Sequence, residues 1–272
     1  MAQHPKCDVA RPRPHIAARR RLGLSAGTAA IAAMTLAAGV TALPAGPAGA
    51  KSTTTTTMAA HRGTTTTAGH TLSPADTWLL KAIDAEAKIG SVRIDGKIEQ
   101  NKTVIYLDLV VNADGEGGGT FIQNGFNIEL ERVGTLLYFN APKKYWQKTA
   151  TAAQANTYGG KWLEISALDA RFVSFDQFLD ASDLVFAAFE GHSAPLTMEK
   201  PTTFQGHKVV VVHETVVSNG KRATGSMDIG STGKPVVYKI VNDSPNNKST
   251  IVFSRYGKAV PLTVPPNAIN LT

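Results

Sequence analysis

The sequence predicts an α+β domain, a wide antiparallel sheet of about eleven strands with helices packed on one face. Three observations point there. Most of 92–256 alternates apolar and polar residues, tight-turn dipeptides separate the alternating segments, and only two stretches change to helical spacing. No strand-helix-strand alternation suggests a parallel sheet.

The first helix is predicted over 74–89. Ser73 is placed to cap it, Pro74 suits the first helical position, and Asp76 stands three residues after the cap. Leu79, Leu80, Ile83, Ala87 and Ile89 then fall near helical spacing, and Gly90 is the stop. Strand signals follow. Val92, Ile94 and Ile98 alternate with Arg93, Asp95, Lys97 and Glu99, and Ile105, Leu107, Leu109 and Val111 share a face across from Asp108. Asn112 to Gly119 reads as a loop. Phe121 leads into Asn124-Gly125, a strong hairpin signal, after which Phe126, Ile128 and Leu130 alternate with Asn127, Glu129 and Glu131. A turn at Val133-Gly134 opens 135–139. Tyr145-Trp146 follow, then a polar insert of helical bias over 149–158, then Trp162 to Ile165.

Residues 174–190 change period. Phe175, Phe178, Leu179, Leu184, Val185, Phe186 and Phe189 recur at helical spacing and Gly191 ends the run, so this helix must be buried against something apolar. Strands resume at 208–217, 223–229, 235–241 and 249–256, with turns at Ser218-Asn219-Gly220, 230–234 and 242–248, and an extended piece over 261–269 closes the chain. So wide a sheet curls, splits or closes. Its apolar face needs a cover, and the helices at 74–89 and 175–190 are the candidates.

Charge placement divides the chain. Of 28 Lys and Arg and 21 Asp and Glu, residues 1–21 hold six bases and one acid, 51–73 hold two bases, and 74–272 hold 20 of each. The basic character therefore belongs to the N-terminal segments and is no sign of a nucleic-acid-binding face. Residues 1–50 read as an export signal: a basic start, an uncharged apolar run from Leu22 to Leu43, and a small-residue ending with cleavage after Ala50. An uncleaved anchor is the alternative, and Arg19-Arg20-Arg21 fits either general or twin-arginine export. Residues 51–72 form a threonine-rich linker with too few large apolar residues to order itself. The one cysteine, Cys7, precedes the apolar run, so an exported domain 73–272 would hold no disulfide and no thiol nucleophile.

Motifs that carry chemistry are few. His192, His207 and His213 have no partner at metal-ligand spacing, and no cofactor, metal or catalytic residue is assigned. Gly225-Ser226-Met227 lacks the spacing of a nucleophile elbow, and Gly233-Lys234 is followed by Pro235, which reads as a hairpin turn and not a phosphate loop. Asp176, Asp180 and Asp183 read as the solvated face of the second helix. The features that remain are apolar. They form either a filled core or the wall of an apolar ligand cavity.

The order of elements, with "SVRIDGKI", "GTFIQNGFNIELERVGTLLYF", "GKWLEI", "FQGHKVVVV", "GSTGKPVVYKI" and "IVFSRYGKAVPLTVP", resembles the exported actinobacterial LppX/LprG-type proteins and the wider group sharing the fold of the lipoprotein carrier LolA. The resemblance covers nearly all of 74–272. It implies a curled half-barrel, helices on its concave face, and a cavity for lipid or acyl chains. The lipid-anchoring cysteine of LppX/LprG-type proteins is missing here. The expected function is that of a non-enzymatic, exported carrier or chaperone for a lipid or other apolar ligand, with a membrane surface or envelope protein as a further partner and no nucleic acid. The expected cavity residues are Phe121, Phe126, Leu137, Phe139, Phe175, Phe178, Phe186 and Phe189. The alternative is an envelope sensor or protein-interaction module with a filled core and no lipid.

Overall fold

The computed structural model describes residues 72–100, 103–112, 115–167, 169, 177–189, 195–218, 220–245 and 247–271, without the side chains of Gln100, Gln177, Ala187, Phe189 and Ser218. Residues 1–50, expected to be an export signal, all but the last residue of the expected linker 51–72, Phe175, Asp176 and His192 lie outside the described residues.

The chain forms one wide, curled and almost wholly antiparallel sheet with a few short helices. Helix α1 (Pro74–Glu86) starts as its sequence dictates. The Ser73 hydroxyl accepts the Asp76 N–H at 3.1 Å and the Asp76 carboxylate accepts the Ser73 N–H at 2.9 Å. It ends at Glu86, one turn earlier than the apolar spacing suggests. Strands β1 (Ser91–Gln100), β2 (Thr103–Asn112), β3 (Gly117–Gln123), β4 (Phe126–Val133) and β5 (Leu136–Asn140) form a meander. Asn124-Gly125 makes the expected tight turn, both residues at positive φ (51° and 80°). Helices α2 (Lys143–Thr149) and α3 (Ala152–Tyr158) precede β6 (Trp162–Ser166), so Tyr145 and Trp146 sit on a helix. Further on come a 3₁₀ turn (Gln177–Leu179) and helix α4 (Ala181–Phe189). The second half of the sheet consists of β7 (Thr197–Met198), β8 (Thr202–Phe204), β9 (His207–Ser218), β10 (Lys221–Gly230), β11 (Val237–Ser244) and β12 (Asn247–Ser254), with β13 (Ile269–Asn270) last.

Among the described residues the sheet has 13 strands, in the order β13-β6-β5-β4-β3-β2-β1-β12-β11-β10-β9-β7 with β8 beside β9. The additional strands β7 and β8 are two and three residues long, too short for an alternation to show, and the last expected strand shrinks to the two residues of β13. Strand β1 sits at the centre, paired antiparallel with both β2 and β12. The final pair is an exception to the antiparallel expectation. Ile269 and Asn270 lie parallel to Leu163 and Glu164, and the stretch expected to be extended from 261 has strand pairing only there.

Three further expectations are corrected. The helix over 174–190 is broken at Asp180, whose carboxylate oxygen accepts the N–H groups of Ser182 and Asp183 at 2.9 and 3.0 Å and so starts a new helix. Asp180 is thus a cap, and Asp183 alone of the three aspartates is seen on an exposed helical face. The turn expected over 242–248 is much shorter, because β11 and β12 continue their pairing through Ser244 and Asn247. Lastly, Gly117, Gly118 and Gly119 belong to β3 and not to a loop.

Those glycines are there for closeness. A Cβ on Gly119, where φ is +146°, would lie 2.1 Å from the Asp108 carbonyl oxygen, and one on Gly117 would lie 2.6 Å from the Val110 carbonyl oxygen. Side chains at these positions would force β2 and β3 apart. Gly119→Ala is therefore expected to lose at least about 2 kcal/mol in urea denaturation. Gly225→Ala, a strand glycine with open space around it, stays within about 1 kcal/mol of the parent.

Candidate functional site

Alternation along each strand gives the sheet one apolar face. Register carries a continuous row across it: Val212 opposite Met227, then Ile240, Ile251, Gly96, Leu107, Phe121 and Ile128. Apart from Gly96, these residues are buried. Three helical units cover the face. Helix α1 lies over β7, β9 and β10, α4 packs on α1 and the 3₁₀ turn and reaches the sheet at β11, and α2 packs with α3. Tyr145 and Trp146 of α2 meet Phe139 at ring-centroid distances of 6.0 and 5.8 Å, and Tyr145 meets Phe126 at 6.0 Å.

The sequence-predicted cavity residues fall into two groups. Phe121 stacks obliquely on Phe178 at 6.0 Å, tying the 3₁₀ turn to β3. Phe126 and Phe139 join through Tyr145, with Leu137 fully buried on the same strand as Phe139. Phe186 stands apart, 41% exposed on α4. Phe175 and the Phe189 side chain lie outside the described residues.

Two recesses flank α4, and none of the six described residues, Phe121, Phe126, Leu137, Phe139, Phe178 and Phe186, lines either one. The larger, about 110 Å³, lies where the end of α1 meets the start of α4, among Glu86, Ile89, Val92, Val111, Asn112, Leu179, Asp180 and Ser182. The smaller, about 30 Å³, lies under the middle and far end of α4. Its floor is Ile98, Ile240 and Ile251, Leu184 and Ala188 of α4 cover it, and Asn242 and Asn247 stand at its polar side.

Glu86 is the unusual residue of the site. Ala75, Leu79, Ala82 and Glu86 form the buried stripe of α1, so a carboxyl occupies an apolar position. Its Oε1 accepts the Val237 N–H at 2.8 Å and the Tyr256 hydroxyl at 3.0 Å, while its Oε2 is buried with no hydrogen-bond partner among the described residues. The Tyr256 hydroxyl also contacts the Val237 carbonyl. One phenolic proton cannot serve both acceptors. Glu86 in its acid form satisfies both contacts by donating to the phenol oxygen. Burial pushes Glu86 up from 4.5 to about 7, against the opposing pull of the Val237 and Tyr256 hydrogen bonds. Burial, together with the Glu86 charge, holds the Tyr256 phenol well above its ordinary value.

Sequence reasoning passed over Glu86, although an acid in step with Leu79 and Ala82 was a readable signal. Leu184 and Ala188 were on the expected helix, but their place over Ile240 and Ile251 depends on long-range register. Elsewhere the strand histidines are unremarkable: His207 stacks on Tyr238 at 4.2 Å, and His213 lies 3.7 Å from Glu199. Among the described residues, no group of three or more His, Cys, Asp or Glu is arranged to hold a metal, and no helix is long and apolar enough to cross a membrane.

No protein-family model and no curated protein sequence matches the chain. Among solved structures it is similar to LprF from Mycobacterium bovis (TM-score 0.47, 16% identity, 71% of this chain and 97% of that one). It is also similar to the Mycobacterium tuberculosis lipoprotein LppX (TM-score 0.43, 10% identity, 69% and 97%) and to MucB in complex with MucA(peri) (TM-score 0.35, 13% identity, 74% and 62%). Such values decide nothing about function, which rests on the chain's own residues.

The buried acid has a measurable consequence. Between pH 4.5 and about 7 the folded chain keeps the Glu86 proton that the unfolded chain has released. This contribution to stability is full below pH 4.5, falls by about 1.4 kcal/mol per pH unit as pH rises, and is gone above about pH 7. Urea denaturation across pH 4.5–8 should show this slope, and Glu86→Gln should flatten it.

Proposed function

We propose that this chain is an exported binding protein that holds a lipid or other apolar ligand between sheet and helices and carries it within a cell envelope. The observation that carries the reading is the thin cover over the middle of the sheet. The α4 helix meets β11 through Leu184 and Ala188, leaves a recess above Ile98, Ile240 and Ile251, and turns Phe186 to solvent. Raising α4 uncovers a ready-made apolar floor. In that opened form Phe121, Phe126, Leu137, Phe139, Phe175, Phe178, Phe186 and Phe189 are the residues proposed to line the ligand. The N-terminal basic, apolar and small-residue segments support export.

Extraction of the protein from its native host with organic solvent, followed by mass spectrometry, should recover a lipid, and the purified chain should take up a fluorescent acyl probe saturably. Ala188→Leu, which fills the smaller recess, should weaken uptake at least tenfold with the circular dichroism spectrum unchanged.

A second reading, an envelope sensor or protein-interaction module, is favoured by one observation. The two recesses are far below the roughly 300–1,000 Å³ of ordinary small-molecule sites. A clean apo protein with no probe uptake, and crosslinking in cells that recovers a protein, would establish it over the carrier.

A membrane surface is the proposed docking partner. Residues 141–163 contain Lys143, Lys144, Lys148 and Lys161, all exposed, and no acid, although 74–272 as a whole holds equal numbers of bases and acids. Anionic headgroups attract such a cluster by about 1 kcal/mol per lysine at low salt. Replacing Lys143, Lys144 and Lys148 together with Gln should reduce cosedimentation with phosphatidylglycerol-containing vesicles at least tenfold and leave binding to neutral vesicles unchanged.

A further inference from the structure

We propose that the larger recess, at the junction of α1 and α4, is the headgroup site of the ligand and takes a hydroxyl-bearing, uncharged head in preference to an anionic one. The inference rests on the carrier reading and specifies its ligand.

Geometry supplies the first argument. Ala181 and Ser182 border the larger recess, and Leu184 and Ala188 border the smaller. Ser182 and Ala188 are six residues apart, about 9 Å along a helix. One amphiphile lying beneath α4 would therefore place its apolar part over Ile98, Ile240 and Ile251 and its polar end beside Glu86.

The chemistry of the lining is the second argument. Glu86 is only 4% exposed, and its Oε2 is a buried acceptor without a partner among the described residues. A buried acceptor left unpaired costs about 1–3 kcal/mol, and a hydroxyl donor from a ligand removes that cost. An anionic head finds nothing equivalent. The start of α4 would draw an anion, but Asp180 already occupies it, taking the Ser182 and Asp183 N–H groups and the Ser182 hydroxyl at 2.7 Å. The Asn112 amide is held by the Val260 backbone through both its oxygen and its nitrogen. Among the described residues none of the lining side chains is cationic, and the Arg132 guanidinium lies near Gly115. A phosphate would face Asp180 and Glu86 in a partly dehydrated space. The raised pKa of Glu86 agrees with this, since the recess then offers a hydrogen bond in place of a full charge.

The test is displacement of a bound fluorescent acyl probe from the full chain at pH 6. The competitors share a twelve-carbon chain and are used below their micelle concentrations: monolauroylglycerol, dodecyl maltoside and lauroyl-lysophosphatidylglycerol. Displacement by at least one of the uncharged pair at a tenfold lower concentration than the phosphate compound is expected, and which of the two acts identifies a glyceride or a glycoside head. Glu86→Leu should shrink that preference at least fivefold. Should that variant not fold, Asp180→Asn, which keeps the helix cap and removes the charge, should narrow the discrimination against the phosphate head. Equal or tighter displacement by the phosphate compound overturns the headgroup assignment and leaves the carrier reading standing. Failure of the parent chain to bind the probe at all overturns both.

Discussion

The structure depends on keeping water off one face of a sheet too wide for any one of its helices to cover. Alternation along β1, β2, β11 and β12 commits Ile94, Ile98, Leu107, Ile240 and Ile251 to the same side, and the register makes that side continuous from Val212 to Ile128. A one-residue slip anywhere would send apolar side chains into solvent. Cover comes in sectors, from α1 over β9 and β10, from the aromatic hairpin α2 and α3 at Phe126 and Phe139, and from the 3₁₀ turn with α4 between them. The middle sector rests on Leu184, Val185 and Ala188, and both recesses border it.

Two devices hold the sectors in place. Glu86 binds the end of α1 to the start of β11 and to Tyr256, so that one carboxyl joins the helix cover to the second half of the sheet. The chain beyond Tyr256 then runs along the ends of the first-half strands. Gly257 donates to the Ser91 carbonyl, Asn112 holds Val260 from both sides, the Thr263 N–H reaches Glu131, and Asn270 and Leu271 attach to Glu164. This tail crosses from β1 to β6 without making a strand until its last residues. Its hydrogen bonds tie together strands that otherwise meet only through their immediate neighbours.

Much of the fold was legible in the sequence because local chemistry specified it. Ser73, Pro74 and Asp76 announced α1, Asn124-Gly125 announced a hairpin, and period-two alternation found the long strands. What was illegible depended on distant partners. Gly117 to Gly119 have loop composition, and only the close approach of the Val110 and Asp108 carbonyls explains them as strand residues. Asp180 interrupts an apolar period of correct spacing because its carboxylate serves the next helix better than the last. The candidate site divides in the same way. Burial of Phe121, Leu137, Phe139 and Phe178 followed from residue type and face. The position of Leu184 and Ala188 over β11 required the sheet order to be known, and aromatic content drew attention away from the acid at Glu86.

A closed interior and a carrier are compatible if α4 substitutes for ligand. Withdrawing Leu184 and Val185 from their buried sites costs about 1.5–3 kcal/mol for each side chain, before any change in backbone entropy. An open form lying several kcal/mol above the closed one is scarcely populated alone, and a ligand shifts the balance only by its differential affinity for it. Acyl chains settling on Ile98, Ile240 and Ile251 would bury much of the apolar area that α4 gives up, so the net cost of opening in the presence of ligand is small. Reclosure then favours release. On this reading the half-exposed Phe186 and the thin contact with β11 keep the closed state from being so stable that no ligand could displace the helix.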